Sequence, residues 1–388
     1  MIREDLEMLT QTAAGTVMGE IMRQFWVPAV RAARLEADGA PVRVRLLGEN
    51  YVAFRATDGR VGFFDEGCPH RCTSLALARN EDNALTCIFH GWKIDVSGKV
   101  VDVPSEPPER RNEFAVKVRV NHYPVREAAG LVWVWLGRGE QAAFPDFAFT
   151  ALAHDQVRAM SARLNCNWLQ ALELLLDPAR FELSSRTLES VSDNPPVIEV
   201  ERTDYGFRGA ALTELPDGEH HARIIQWLMP GFTLIPAVSG HLELAACAVP
   251  IDDTQCLLWL IFFSPKGPIA SDTLGAQGIL ARDPDNFAAG VGASESFWRE
   301  GQPHASSRSL LDDVAFPQAQ GPIQNLADQR LCSSDQMVME ARQFLSEALR
   351  AYQEGRPVPG LGAPVQYAKL HAGAGVLEPG DDWRLFSR

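Results

Sequence analysis

The sequence predicts an α+β fold in two domains, a smaller antiparallel β domain followed by a larger, twisted antiparallel sheet with flanking helices. First, 388 residues are enough for two domains that each bury a core. Second, most apolar runs are short and alternate with polar residues, which is typical of half-buried strands. Third, helical spacing is confined to a few segments, and no Gly-x-Gly-x-x-Gly fingerprint occurs, which disfavours a doubly wound sheet. We place the domains at residues 1–148 and 149–388.

The first domain is predicted to begin with a helix and to continue as strands. Apolar side chains between Met18 and Phe25 share one face of a helix that runs from about Asp5 to Trp26. The Asp58-Gly59 pair is a strong hairpin signal. The predicted strands are Val42–Gly48, the two arms of a hairpin over Tyr51–Asp65, Phe114–Val120 and Gly130–Gly137.

The second domain is predicted to open with a helix over Asn167–Arg186, interrupted at Asp177-Pro178. Proline lacks an amide donor, and the residue before it avoids helical backbone. Ser264–Arg308 is polar and rich in Gly and Pro, which indicates a surface excursion, and Asp335–Tyr352 has uninterrupted helical spacing. The predicted strands are Val197–Thr203, Ala222–Met229, His241–Pro250 and Cys256–Phe263.

Composition excludes several classes of function. The 36 Lys and Arg against 50 Asp and Glu give a net charge of −14, which argues against nucleic acid or an anionic membrane as a partner. The longest strongly apolar run, Cys256–Phe263, is far shorter than the about 20 residues of a membrane span. The acidic N terminus has no secretory pattern, so we expect a cytoplasmic protein. In that reducing compartment, the 7 Cys favour metal or redox chemistry over disulfides.

Four candidate metal ligands fall in two short motifs, Cys68-Pro69-His70 and Cys87-Ile88-Phe89-His90. At the chain's own Cys and His frequencies this arrangement would arise by chance with a probability on the order of 10⁻⁴. Two thiolates on one iron and two neutral imidazoles on the other form a Rieske [2Fe–2S] cluster, whose potential is raised by the neutral ligands. The same four residues also suit a structural zinc ion. Spacing alone leaves both readings open.

The remaining cysteines are predicted to be structural. Four of them lie in apolar or helical contexts and are expected in or near the core: Cys166, Cys247, Cys256 and Cys332. Cys72 follows the first motif and is interpreted as a tolerated small residue.

The stretch CPHR…CIFHGWKID resembles the signature of the Rieske non-haem iron ring-hydroxylating oxygenases, in particular the phthalate dioxygenase branch, and the resemblance extends over nearly the whole chain. It implies a Rieske domain followed by a helix-grip domain, with a [2Fe–2S] cluster held by Cys68, His70, Cys87 and His90. It also implies electrons from a flavin- and iron–sulfur-containing reductase, and aromatic carboxylates or aryl ethers as the substrate class. In that branch, Gly is usual where this chain has Cys72.

The resemblance also implies a second metal site, and here the sequence departs from the family. The family's iron-binding helix reads Asp-x-x-His-x-x-x-x-His, and a later Asp completes a two-His-one-carboxylate site for Fe(II). The matching residues are Asp177, Arg180, Ser185 and Asp335, so both imidazoles are replaced. Arg has no usable lone pair and Ser is a weak ligand, so we expect mononuclear Fe(II) to be absent. We hypothesise that the Arg180 charge replaces that of the metal by pairing with Asp177 or Asp335; the alternative is that it faces solvent.

Family members are expected to form rings of three, in which electrons pass from the cluster of one subunit to the iron of the next through the residue that matches Asp177. The sequence therefore predicts an electron-transfer subunit that is not catalytic alone and that serves a paralogous catalytic subunit in a trimeric or hexameric ring. Two alternatives stay open. One is an active ring-hydroxylating or O-demethylating oxygenase with a non-standard iron site. The other is a non-redox binding module with zinc in the Cys₂His₂ site.

Overall fold

The structure, a computed structural model, describes residues 3–178, 195–236, 242–272, 280, 282–288, 314–362 and 364–386. The chain divides into two compact units: Arg23–Ala142, and Met1–Met22 together with Ala143–Arg388. The predicted α+β class is confirmed. The predicted domain limits, 1–148 and 149–388, differ from this division mainly because the N-terminal 22 residues group with the C-terminal part of the chain.

The N-terminal segment forms two short helices, α1 (Arg3–Thr10) and α2 (Val17–Arg23), instead of the single predicted helix. Gly15 lies between them with a φ of 82°, a left-handed conformation that interrupts a helix. The indole of Trp168 donates to the Leu9 carbonyl at 3.0 Å, and the Asn167 amide donates to Thr10 at 2.9 Å. These bonds explain why the segment belongs to the C-terminal unit.

The unit formed by residues 23–142 contains three small antiparallel sheets. The sheets have the orders β1-β10-β9, β2-β3-β4 and β5-β6-β7-β8. Their strands are β1 (Trp26–Arg31), β2 (Val42–Leu46), β3 (Glu49–Arg55), β4 (Val61–Asp65), β5 (Arg79–Glu81), β6 (Ala84–Thr86), β7 (Lys93–Asp95), β8 (Val100–Asp102), β9 (Val125–Ala128) and β10 (Leu131–Trp135).

The predicted hairpin is confirmed, since β3 and β4 pair around Gly59, which has a φ of 88°. The strand predicted over Phe114–Val120 is wrong. Helix α3 (Pro108–Ala115) occupies its start, because Pro108 and Glu109 suit the first turn of a helix.

The C-terminal unit is built on a large antiparallel sheet. Among the described residues it has the order β11-β17-β16-β15-β14-β13-β12, and β18 pairs with β14. All four predicted strands are found, whereas the alternation of β13, which contains Gly and Ala, was too weak to predict it. The strands are β11 (Val157–Leu164), β12 (Val197–Thr203), β13 (Gly206–Glu214), β14 (His220–Leu228), β15 (Phe232–Ile235), β16 (Glu243–Asp252), β17 (Gln255–Phe263) and β18 (Gly373–Leu377).

The described helices of this unit include α4 (Trp168–Leu176), α5 (Ala315–Ala319), α6 (Gln336–Gln353) and α7 (Trp383–Phe386). The Asn167 side chain caps α4 by accepting from the Leu169 amide at 3.0 Å. The helix ends as predicted before Pro178, where Asp177 has extended backbone with φ −92° and ψ 98°. The predicted continuation to Arg186 lies outside the described residues, as does much of the predicted excursion from Ser264 to Arg308. In the part of the chain that the structure describes, no helix combines the length and hydropathy needed to cross a membrane.

Candidate iron–sulfur site and carboxylate cavity

Two loops of the Arg23–Ala142 unit carry the four sequence-predicted ligands. The first follows β4 and contains Cys68 and His70, and the second joins β6 to β7 and contains Cys87 and His90. The rings of His70 and His90 meet edge to face, with centroids 4.5 Å apart. The structure thus brings together motifs that are separated by sixteen residues in the sequence.

Both loops close in the same way. The Cys68 carbonyl accepts from the amide of Cys72 at 2.8 Å, and the Cys87 carbonyl accepts from the amide of Gly91 at 2.9 Å. The residue four positions after each Cys has left-handed backbone, with a φ of 57° at Cys72 and 72° at Gly91. Glycine adopts this conformation without strain, whereas a side chain costs about 1–2 kcal/mol. Cys72 is exposed, and its left-handed backbone would suit glycine better than a residue with a side chain.

The cysteine and histidine side chains of the site differ in how far they are buried. Cys68 and Cys87 are buried, with 1% and 3% of their surface exposed, whereas both histidines are half-buried. The Cys68 thiol lies beside Cys87, and the nearby backbone amides of His70 and Arg71 partly offset the rise in its pKa. The arrangement provides a pair of sulfurs inside and a pair of imidazoles nearer the surface.

The electrostatics of the two ligand types also differ. Burial raises the pKa of Cys68 above its ordinary value, and proximity to Cys87 raises it further. Such a buried thiol becomes a thiolate when a metal supplies the compensating charge. Desolvation, followed by repulsion from His70 and Arg71, lowers the pKa of His90. A lowered pKa favours the neutral imidazole, which is the form that binds metals.

These residues fit a two-iron cluster. The His70 Nδ1 atom is buried and has no hydrogen-bond partner among the described residues, as expected of a nitrogen reserved for a metal. No three His, Cys, Asp or Glu side chains in the described ranges are arranged to hold a single metal ion. Two pairs of ligands suit a [2Fe–2S] cluster, which places thiolates and imidazoles on different irons. A single zinc ion would require all four ligands at one point.

A cavity of about 560 Å³ in the C-terminal unit contains both carboxylates that the sequence assigned to the second metal site. Asp177 lies at the end of α4, and Asp335 directly precedes α6. Asp335 accepts from the Cys332 amide at 2.8 Å, which fixes the turn before the helix. The described lining residues are Gln170, Glu173, Leu174, Asp177, Phe316, Pro317, Gln320, Gln329, Arg330, Leu331, Asp335, Val338 and Arg342.

A buried ion pair on the cavity wall escaped the sequence analysis. Arg342 donates from Nε to Glu173 Oε1 at 2.6 Å and from Nη2 to Oε2 at 2.8 Å. Arg342 Nη2 also reaches Gln329 Oε1 at 2.6 Å, and Gln324 donates to Glu173 at 2.8 Å. The sequence did contain one signal for these residues. Glu173 lies one helical turn before Asp177, and Arg342 lies two turns after Asp335. At such spacings two residues of a helix face the same side.

The other sequence-predicted residues have mixed outcomes. Arg180 and Ser185 lie outside the described residues. Cys166, Cys247 and Cys256 are buried as predicted, but the prediction for Cys332 is wrong. Cys332 is exposed because it lies before the short turn that leads into α6, outside the helix's buried face.

Comparisons with known proteins agree with this two-part organisation. Residues 25–124 match the family model described as a Rieske [2Fe-2S] domain. Residues 134–275 match the model described as LigXa C-terminal domain like. The first match covers the ligand loops, and the second covers strands β11 to β17 of the large sheet.

Two curated relatives extend the similarity over nearly the full length. The oxygenase subunit of phthalate 4,5-dioxygenase from Pseudomonas putida is 34% identical, over 98% of this chain and 93% of the relative. The oxygenase subunit of 3-chlorobenzoate-3,4-dioxygenase from Comamonas testosteroni is 31% identical, over 98% of this chain and 96% of the relative.

A solved structure has the same fold. It is the terminal oxygenase of carbazole 1,9a-dioxygenase from Nocardioides aromaticivorans, with a TM-score of 0.63 and 20% identity. The match covers 90% of this chain and 98% of the solved one.

Proposed function

This chain belongs to the Rieske non-haem iron ring-hydroxylating oxygenases, and from that premise we propose that it is the electron-transfer subunit of a mixed oligomer. It accepts electrons from a flavin- and iron–sulfur-containing reductase and delivers them to the mononuclear iron of a neighbouring, catalytically complete subunit. The observation that carries the proposal is the identity of residues 180 and 185. They are Arg and Ser, where the family's iron-binding helix has two His.

The electron-accepting part of the proposal depends on the four ligands Cys68, His70, Cys87 and His90. A bound [2Fe–2S] cluster supplies reversible one-electron transfer at a raised potential. The chain holds the thiolates in a buried position and the imidazoles near the surface. A bound cluster would therefore exchange electrons on the side of His70 and His90, where a partner protein can approach.

The exposed side chains beside the histidines support contact with a partner. Ile88 and Phe89, within the second ligand motif, are 55% and 53% exposed. The Arg71 guanidinium lies 5.6 Å from the centre of the Phe89 ring. An apolar tip with an adjacent cation suits a transient protein contact. Both curated relatives are named as oxygenase subunits, which favours additional components.

The proposal also holds that this chain binds no mononuclear iron. Asp177 and Asp335 supply carboxylates to one cavity, but two carboxylates without imidazole provide too few strong ligands for Fe(II). We assign to Arg180 the role of a fixed positive charge in place of the metal. The Glu173–Arg342 pair supports this, because the same cavity wall already stabilises a carboxylate with a guanidinium. Asp177 would bridge to the neighbouring subunit's cluster, as its counterpart does in the family.

Metal and sulfide analysis of the purified chain tests the proposal. We expect two irons and two acid-labile sulfides per chain, a red-brown colour, and no turnover with a reductase alone. Three irons per chain with product formation would instead identify an active oxygenase with a non-standard iron site. A colourless protein containing zinc would contradict both.

A gain-of-ligand variant sharpens the test. Replacing both residues, R180H with S185H, restores the family's ligand types and is expected to raise the iron content from about two to about three per chain. The matched control, R180Q with S185A, removes the same side chains without adding imidazole and should stay at about two. An unchanged iron content in the histidine variant would show that these two positions do not determine metal binding.

Co-purification tests the partner. The chain is co-expressed with its neighbouring genes and isolated through a tag on this chain only. A second Rieske-type subunit of different sequence, with a complete iron site, is expected in the complex. Isolation of an oligomer of this chain alone that turns over substrate would refute the electron-transfer role.

A further inference from the structure

Trp92 stacks on one of the proposed cluster ligands. Its indole ring is parallel to the His70 imidazole within 6°, with centroids 4.7 Å apart. Trp92 is only 4% exposed, and Phe114 packs edge-on against it at 5.7 Å. The indole is therefore a fixed surface against which the imidazole lies.

The orientation of Trp92 is held from outside the core. Its Nε1 donates to the hydroxyl of Ser105 at 2.8 Å. Ser105 is itself exposed, in the turn that follows β8. The same turn approaches the second ligand loop at another point, because a Cβ placed on Gly91 would lie 3.3 Å from Pro104 Cγ.

The His70 ring needs such support. The terminal torsion of a histidine side chain is broad and roughly two-fold, so the ring is not fixed by its own rotamer preference. The buried Nδ1 has no hydrogen-bond partner among the described residues that could fix the ring. Within the part of the chain that the structure describes, the His70 ring stacks on Trp92 and meets His90 edge to face.

We propose that Ser105 and Trp92 act as a positioning pair: the Ser105 hydroxyl fixes the indole, and the indole fixes the His70 imidazole as a ligand and limits its contact with water. The pair thereby sets the reduction potential of the site. This inference rests on the proposed role of His70 as a cluster ligand. Ser105 acts through Trp92, whose Nε1 donates to its hydroxyl, and is therefore a positioning residue.

The direction of the effect follows from charge. Reduction adds one electron, so the reduced site carries one more negative charge than the oxidised site. Water stabilises the more highly charged form, and an apolar cover disfavours it. Loosening the indole admits water beside His70 and therefore raises the reduction potential.

Redox titration of the cluster-containing protein, with electron paramagnetic resonance of the reduced state, tests the proposal. S105A and W92F each remove the indole–hydroxyl bond and are expected to shift the reduction equilibrium upward by about threefold to tenfold, where tenfold corresponds to about 59 mV. The double variant should shift no further than the larger single variant, because both changes break the same bond. The g values of the reduced site should change in S105A as well as in W92F.

Two matched controls separate positioning from general packing. Ser97 is an exposed serine in the same unit, and Trp135 is an indole of equal burial that donates to the Gln24 carbonyl at 3.0 Å. S97A and W135F should leave the potential and the g values unchanged.

Three results would overturn the inference: an S105A protein with wild-type potential and g values, additive shifts in the double variant, or equal shifts in the controls. S105A alters an exposed side chain, so it stays informative if W92F does not fold. Iron and sulfide counts on the wild type test the cluster itself. A wild-type protein without a cluster would refute the proposed function. A normal cluster together with an unchanged S105A potential would refute only the positioning pair.

Discussion

The buried ion pair between Glu173 and Arg342 gives a quantitative test of how the cavity wall is stabilised. The side chains of Arg342 and Glu173 are 3% and 12% exposed, and two direct bonds join the two charges. R342M leaves the Glu173 carboxylate buried without its cation, which is expected to cost about 3–5 kcal/mol of unfolding free energy. Replacing both, E173L with R342M, removes the unpaired charge and adds apolar contact with Leu174 and Val338, which also line the cavity.

The double variant should therefore be more stable than either single variant. It also loses the hydrogen bonds from Gln324 to Glu173 and from Arg342 to Gln329, at about 1 kcal/mol each. Apolar replacement of a buried pair is often neutral or stabilising by about 1–4 kcal/mol, so we expect the unfolding free energy of the double variant to lie within about 2 kcal/mol of wild type.

Urea unfolding followed by tryptophan fluorescence measures these differences, provided that the m-value is unchanged between variants. R356M is the matched control, since Arg356 pairs with Glu354 on the surface, where both side chains are 58% exposed. That surface pair should contribute about 0–1 kcal/mol to the free energy of unfolding. The reasoning fails if R342M costs no more than R356M, or if the double variant costs the sum of the two single variants.

Two further outcomes follow from the C-terminal sheet and the helix packed against it. A Cβ at Gly206 would lie 2.3 Å from the Trp227 carbonyl oxygen, whereas one at Gly218 meets nothing within 4 Å. Both glycines have positive φ, so backbone strain is common to the two variants and only G206A adds the clash. G206A should therefore lower the stability of the protein by about 1–3 kcal/mol more than G218A in thermal unfolding, and equal effects would contradict the steric argument. Hydrogen bonds from Arg202 hold the pKa of Glu347 below its ordinary value. Such a carboxylate stabilises the fold above its unfolded pKa of about 4.3, and this stabilisation is lost as pH falls through its folded pKa. We therefore expect E347Q to be less stable than wild type at pH 7 and equally stable in acid. A loss of stability that persists in acid would point to packing instead.

The ligand loops could be predicted from sequence because each pair of ligands lies within four residues of chain. Cys68 with His70, and Cys87 with His90, are placed by the local closure of one loop each. Nothing beyond the spacing was needed to see them. The sequence could not reveal how the loops are supported. Trp92 hydrogen-bonds to Ser105 in the turn after β8, and its stack on His70 depends on how the two loops pack.

The second site was only partly predictable. Asp177 and Asp335 were identified by resemblance, and the structure brings both to one cavity. Glu173 and Arg342 have helical spacing to Asp177 and Asp335, but that spacing does not show that they pair with each other, because they are 169 positions apart. The segment from Phe114 to Val120 was misassigned for a different, local reason: its residues alternate like a strand, but the helix α3 that begins at Pro108 extends into it.

The sequence by itself determined the fold class, the family, the four ligand candidates, and the Arg and Ser at positions 180 and 185, where the resemblance implies two histidines. These are properties of residue identity and short spacing, which do not depend on how the chain packs. The tertiary structure alone decided that the N-terminal 22 residues join the C-terminal unit, that a guanidinium stabilises the cavity wall, and that an exposed serine orients the indole beside His70. Each of these joins residues that come together only when separate elements pack, because burial and hydrogen bonding are properties of the folded arrangement.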